Sequence, residues 1–131
     1  MARILIADDR ESMRAAVKLL LVMRPHWEIC GEATDGREAV AKASELQPDV
    51  VVLDVRMPLM DGLQAAREIC KNMPAASIVV YTLYKSAELE AAAKLAGVRR
   101  VVSKEDGGQN LLAAIEAELV AKKYQKKSKH E

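Results

Sequence analysis

The sequence predicts a doubly wound α/β domain, with five strands alternating with five helices as (βα)5 around one parallel sheet. Three observations lead there. Short apolar runs alternate with segments whose apolar residues recur at helical spacing. The central run "DVVVLD" is apolar at successive positions, as a strand buried on both faces must be. The length, 131 residues, suits one domain that can bury a core without disulfides or a structural metal.

The first strand is "RILIAD", which ends in acid. In "ESMRAAVKLLLVM", Met13, Ala16, Val17, Leu20 and Leu21 fall at i, i+3, i+4, i+7 and i+8, which predicts an amphipathic helix. Pro25 stops it. "WEICGEAT" is the second strand, and "TDGREAVAKASEL" gives a turn and a helix with Asp35 as its cap. After the third strand, "DVVVLD", comes the loop "VRMPLMDG", then a helix in "GLQAAREICKN" with Leu63, Ala66 and Cys70 on one face. "ASIVVYTL" is the fourth strand. The helix in "SAELEAAAKLAG" aligns Leu89, Ala92, Ala93 and Ala96, and Gly97 is its stop signal. "RRVVSK" is the fifth strand, and "GQNLLAAIEAELVAKK" closes the series with Leu112, Ile115 and Leu119 facing inward.

Apolar residues make up 50% of the chain but aromatic ones only 3%, so the core must come from Val, Leu, Ile, Ala and Met. A formal charge of +1 provides no global field to draw nucleic acid or a membrane surface. Only "AKKYQKKSKHE" is unbalanced. It reads as a solvated tail or linker stub, residues 122–131, behind a domain over residues 1–121; a nucleic-acid or partner contact is the less favoured reading. Cys30 and Cys70 have neither CxxC spacing nor nearby histidines, so they read as reduced core residues rather than a zinc or redox pair. No signal-peptide pattern and no apolar run of membrane-spanning length occurs, and a cytoplasmic chain is expected.

In open sheets of this kind the site lies outside the carboxyl ends of the strands, where strand order reverses. Strand one ends in Asp8-Asp9, strand three in Asp54, strand four in Thr82 and strand five in Lys104. Taken singly, each has an ordinary explanation. Asp8, Asp9 and Asp54 could cap turns, Thr82 could be a β-branched strand residue, and Lys104 could lie on the surface. Together they form a pattern. Converging carboxylates repel unless a cation intervenes, and hard oxygen donors suit Mg²⁺. A lysine and a hydroxyl facing them make sense if the ligand is a phosphoryl group.

From "ILIADD" through "VLDVRMPLMDG" and "VVYTL" to "VVSK", the chain closely resembles the receiver domain of two-component response regulators. The resemblance implies a flavodoxin-like sheet of order 2-1-3-4-5. It makes Asp54 the phosphoacceptor, Asp8 and Asp9 the acidic pair, Thr82 the switch hydroxyl and Lys104 the conserved-type lysine. Mg²⁺ would be held by Asp9, Asp54 and the backbone carbonyl of Arg56, with Asp8 acting through water. The implied partners are a sensor histidine kinase or phosphotransfer protein and an output domain or partner protein. A homodimer formed on phosphorylation stays open, and neither direct nucleic-acid binding nor membrane contact is expected. The receiver would not be an enzyme toward other substrates but would catalyse only its own phosphorylation and dephosphorylation.

Some positions depart from the family's common pattern. Val101 stands where an aromatic ring usually moves with the switch hydroxyl, and Leu83 where a small residue is usual. Glu105-Asp106 follow the lysine where proline is frequent; together with "DDRESMR" this is most similar to the NarL/FixJ-type branch. Arg56 and Tyr84 are expected to flank the path of a hydrolytic water, or are simply exposed loop residues, the two readings standing level. His26, beyond the first helix, lies away from the strand termini. Arg56 also occupies the place where a phosphatase of the haloacid dehalogenase type, or a DxD nuclease, needs its second acid. No GxGxxG follows the first strand, which argues against a flavin or nucleotide binder. The alternative from within the family is a degenerate receiver acting as a phosphorylation-independent interaction module.

Overall fold

The computed structural model describes residues 1–129, with side chains described through Tyr124. Its elements follow one another as β1 (Ala2–Ala7), α1 (Glu11–Leu21), β2 (Trp27–Ala33), α2 (Gly36–Leu46), β3 (Val50–Leu53), α3 (Gly62–Asn72), β4 (Ser77–Thr82), α4 (Ala87–Leu95), β5 (Arg100–Ser103) and α5 (Gly108–Lys129). The strands form one parallel sheet of order β2-β1-β3-β4-β5. Order reverses between β1 and β3, so the loops leaving those two strands diverge to opposite faces and open a crevice.

Alternation along each strand builds two cores. Val51 and Leu53 join Leu5, Ala7, Ile78 and Val80 beneath α2, α3 and α4. Val50 and Val52 join Ile4, Ile6, Val79 and Tyr81 beneath α1 and α5. With no phenylalanine in the chain, small residues let the helices approach closely: Ala39, Ala43, Ala65, Ala66, Ala93 and Ala96 are all buried.

The buried helical stripes run close to the expected ones, with a few shifts. Val17 and Leu21 are buried on α1 while Ala16 is exposed. On α3 the buried set is Ala65, Ala66 and Ile69, with Leu63 and Cys70 only half-buried. On α5, Leu111, Leu112, Ala114 and Ile115 are buried, whereas Leu119 is half-buried. A helix stripe is wider than one apolar row, so spacing alone leaves its centre uncertain by one residue. Asp35 caps α2 as expected, accepting a 2.8 Å hydrogen bond from the Glu38 amide.

Beyond residue 121 the chain continues α5 as helix to Lys129, and the half-buried Lys122 donates to the Ala75 carbonyl. The expected solvated tail is thus helical through Lys129, because elongation from a packed nucleus is cheap and Ala, Lys and Gln favour helix. Residues 130 and 131 of that stretch lie outside the described residues.

One buried carboxylate ties α5 to the sheet. Glu118, 5% exposed at its side chain, accepts from Arg100 at 2.8 Å and Arg99 at 3.3 Å. Burial opposes its charge, but hydrogen bonds from Arg100, Arg99 and Ser77 outweigh that and hold its pKa below the usual carboxylate value. The stability it contributes is present at neutral pH and is lost as pH falls through its folded pKa. We expect Glu118→Ala to cost about 1–2 kcal/mol at pH 7, since the half-exposed arginines can turn to water. Urea unfolding should show that loss shrinking below about pH 4.

Candidate functional site

Asp8 follows the last residue of β1 and Asp54 the last of β3, two adjacent strands, so both carboxylates come out on the same edge of the sheet. Asp8 is 4% exposed and Asp54 7%, while Asp9 is exposed. One carboxylate oxygen from each of Asp8, Asp9 and Asp54 lies within 4.8 Å of the others. Lys104, directly after β5, is 4% exposed at its side chain; its Nζ lies 2.8 Å from Asp8 Oδ2 and 3.3 Å from Asp54 Oδ2. Asp8 and Asp54 thus share one ammonium with Asp9 beside them, so the cluster holds more acid groups than paired cations among the described residues. An all-oxygen set with that surplus fits a hard divalent cation.

Electrostatics follow from burial. Burial raises the Asp54 pKa above its ordinary 3.8, Lys104 pulls it down and Asp8 pushes it up, with a net rise. The other Asp54 oxygen, Oδ1, accepts a 2.8 Å bond from the Val55 amide. Helix α1 has Arg10 at its N-cap and no side-chain cap bond, so neither Asp8 nor Asp9 is its N-cap, although Asp8 Oδ1 closes the turn before it by accepting from the Arg10 amide at 3.0 Å.

The loop after Asp54 is fixed by its backbone. The Gly62 amide donates to Val55 O at 2.7 Å, and a Cβ on Gly62 would fall 2.0 Å from the Asp54 carbonyl oxygen. Only glycine lets α3 begin there. Asp61 caps that helix by accepting from the Gln64 amide. Across the loop, a Cβ on Gly36 would meet Met60 O at 1.9 Å, so α2 also closes on this segment. At the loop's outer tip the exposed Leu59 takes φ 68°, closed by a Met60 N–H bond to Pro58 O of 2.7 Å.

Thr82 ends β4, fully buried, and its Oγ1 accepts from the Tyr84 amide at 3.2 Å. The exposed Arg56 lays its guanidinium 3.8 Å from the centre of the Tyr84 ring, so the loops that follow β3 and β4 meet there. Val101 is half-buried against the core under α4, and Leu83 is exposed. Lys104 opens a single 3₁₀ turn, Lys104–Asp106, and there is no cis peptide bond among the described residues. The exposed His26 lies next to β2's start, at the opposite end of the sheet.

A carboxylate triad, a bridging lysine and a strand-end threonine on a 2-1-3-4-5 sheet are what the sequence motifs led us to expect, and comparison with known proteins decides the family. The family described as "Response regulator receiver domain" matches residues 4–116. The chain belongs to this family. A protein-glutamate methylesterase/protein-glutamine glutaminase of Methanococcoides burtonii is 38% identical over 123 residues, 93% of this chain but 35% of that protein. The chemotaxis protein CheY of Thermotoga maritima is 47% identical over 78 residues, 60% of this chain and 64% of that one. Among solved structures, a LuxR-family two-component response regulator from Aurantimonas sp. SI85-9A1 superposes with TM-score 0.89 at 33% identity, covering 92% of this chain and 86% of that one. The receiver domain of NarL from Mycobacterium tuberculosis gives 0.84 at 25% identity, covering 93% and 96%, in keeping with the NarL-type branch. This receiver spans only about a quarter to a third of the methylesterase relatives' length. Among the described residues, no helix is long and apolar enough to cross a membrane.

The sequence reading left out Arg14, Gly36 and the Arg56–Tyr84 stack. Arg14 donates to the Asp8 carbonyl at 2.9 Å from the first turns of α1. Its only sequence signal was a basic residue on an otherwise apolar-faced helix.

Because folding raises the Asp54 pKa, the stability this group supports is full in acid and is lost as pH rises from 3.8 through the raised value. Asp54→Asn, measured without divalent cations, is therefore expected to raise Tm at pH 7 by about 3–5 °C, what about 1 kcal/mol amounts to in a domain of this size. Thermal melts should show the gain vanish near pH 4 and shrink on adding Mg²⁺.

Proposed function

We propose that the receiver accepts a phosphoryl group on Asp54 from a phosphohistidine of a sensor histidine kinase or phosphotransfer protein, and that the acyl phosphate switches a protein-interaction surface. The observation that carries this reading is the buried Asp54 held beside Asp8, Asp9 and Lys104. We also propose residues 1–121 as the receiver unit, with the lysine-rich stretch continuing its last helix. Asp8, Asp9, Asp54 and the Arg56 carbonyl are the groups that would hold Mg²⁺, which supplies positive charge against the transferring phosphoryl oxygens.

The chain's own groups do the rest. A carboxylate oxygen of Asp54 forms the new O–P bond while the P–N bond breaks; its electron pair returns to the imidazole, which leaves neutral when its other nitrogen carries the proton. Lys104 is already held 3.3 Å from Asp54, so it can pair with a phosphoryl oxygen without being drawn in from solvent. The oxygen of Thr82 is engaged as acceptor by the Tyr84 amide, which leaves its O–H to donate to the phosphoryl group. Movement of Thr82 toward the new charge carries Tyr84 with it, and shifts the loop entering α4 without the aromatic side chain that Val101 replaces. The α4, β5 and α5 face would pass this change to an output domain, a partner protein or a second copy.

Incubation with Mg²⁺ and acetyl phosphate, read by intact mass, should add one phosphoryl group to the wild-type chain and none to Asp54→Asn. A wild-type chain that takes up no phosphoryl group sinks the phosphoacceptor reading and leaves the phosphorylation-independent module. The Arg56–Tyr84 stack covers the approach of water to the acyl phosphate. If it slows hydrolysis by its own strength, about 0.5–1 kcal/mol, Tyr84→Ala should release phosphate about two- to fivefold faster. An unchanged release rate would remove the stack from the mechanism.

A further inference from the structure

Each polar atom of Asp8 has a partner. Its amide donates to Ala33 O at 3.1 Å, Oδ1 accepts from the Arg10 amide at 3.0 Å, and Oδ2 accepts from Lys104 at 2.8 Å. The carbonyl oxygen is taken by Arg14 Nη1 at 2.9 Å. Arg14 is well covered, 13% exposed at its side chain, and its Nε donates to Glu32 Oε1 on β2 at 3.0 Å. Glu32 is held in turn: Lys18 takes its Oε2 at 2.9 Å, and Lys42 donates to its carbonyl. The hydrogen bond from Lys18 keeps the Glu32 carboxyl below its ordinary pKa, so the brace stays charged at neutral pH.

The carbonyl that Arg14 grips belongs to the peptide unit joining Asp8 to Asp9. Fixing that plane fixes ψ of Asp8 and φ of Asp9, and so the direction in which each carboxylate leaves the strand end. Asp9 is exposed, so its aim depends on its backbone more than on surrounding side chains. Glu32 has a second effect. By binding the guanidinium on its Nε side, it keeps a cation that could pair with the acidic cluster engaged elsewhere.

We propose that Arg14 is a positioning residue for the divalent cation: its bond to the Asp8 carbonyl, braced by Glu32, aims the Asp8-Asp9 pair at the space beside Asp54. The inference rests on the reading of these carboxylates as the cation site. Outer partners that orient ligands commonly change affinity by about 10–100-fold, and an arginine acting through one carbonyl belongs at the low end.

Mn²⁺ is the probe, because the free ion is read directly by electron paramagnetic resonance, independently of phosphorylation. Arg14→Ala should weaken Mn²⁺ binding about tenfold, and Arg14→Lys, which keeps one donor, should recover part of that. Lys71→Ala, which removes an exposed positive charge from the last turn of α3, should stay within about twofold of wild type. Circular dichroism melts on the same proteins separate folding from aim. A lowered Tm with unchanged Mn²⁺ affinity in both Arg14 variants makes Arg14 a structural brace alone and overturns the proposal. Failure of the wild-type chain to bind Mn²⁺ overturns the cation site and this inference together. Mn²⁺ binding that is weakened in Arg14→Ala, in a chain that acetyl phosphate does not label, supports the inference while removing the phosphoacceptor reading.

Discussion

The site depends on one buried ammonium. Lys104 reaches Asp8 and Asp54 from the end of β5, 96 and 50 residues away in sequence, and without it those carboxylates would be forced together in a place that water barely enters. A buried charge pair is weak evidence for stability, because desolvation cancels much of the attraction. Its value lies in readiness. The carboxylates are crowded into a buried place, and burial first, with the Asp8 charge adding to it, raises the Asp54 pKa against the pull of Lys104. A cation, as proposed above, would ease that crowding.

That arrangement needs a rigid frame, and much of the frame is backbone. The Gly62 and Gly36 contacts close α3 and α2 onto the loop after Asp54, and the Gly62 amide fastens Val55. Such contacts leave no room for a side chain, so the "MDG" motif marks a close approach and a helix cap rather than reacting groups. On the other side of the crevice, Arg14 and Glu32 hold the strand end that carries Asp8 and Asp9.

Beyond the frame lies the loop that leads from β4 into α4. The loop after β4 is tied to Thr82 by the bond from the Tyr84 amide and to the β3 loop by the Arg56–Tyr84 stack between two exposed side chains. Farther out, Glu118 clamps α5 to β5 through Arg99 and Arg100 at the opposite end of the strand from Lys104. The strand whose end carries Lys104 is therefore anchored at its start. Val101 sits in that region, packed into the core where a ring would have turned.

Periodicity and residue chemistry sufficed for the strands, the helices and the row of Asp8, Asp9, Asp54, Thr82 and Lys104, because strand ends are visible wherever an apolar run stops. Local patterns carry that much, since burial on two faces leaves its mark at every position of a strand such as β3. The centre of each helical stripe was less legible, as Ala16 and Cys70 show, because several rows on a helix are similarly apolar. The helix through Lys129 was missed because like charges argue for solvent, while the packed turns before them, which the sequence does not display as contacts, carry the helix onward. Tertiary structure alone decided that Lys104 favours Asp8 over Asp54, that Arg56 covers Tyr84, and that Arg14 grips the carbonyl behind Asp8. Each of those contacts joins residues from different elements. Its geometry is fixed only when the sheet sets the distances between them.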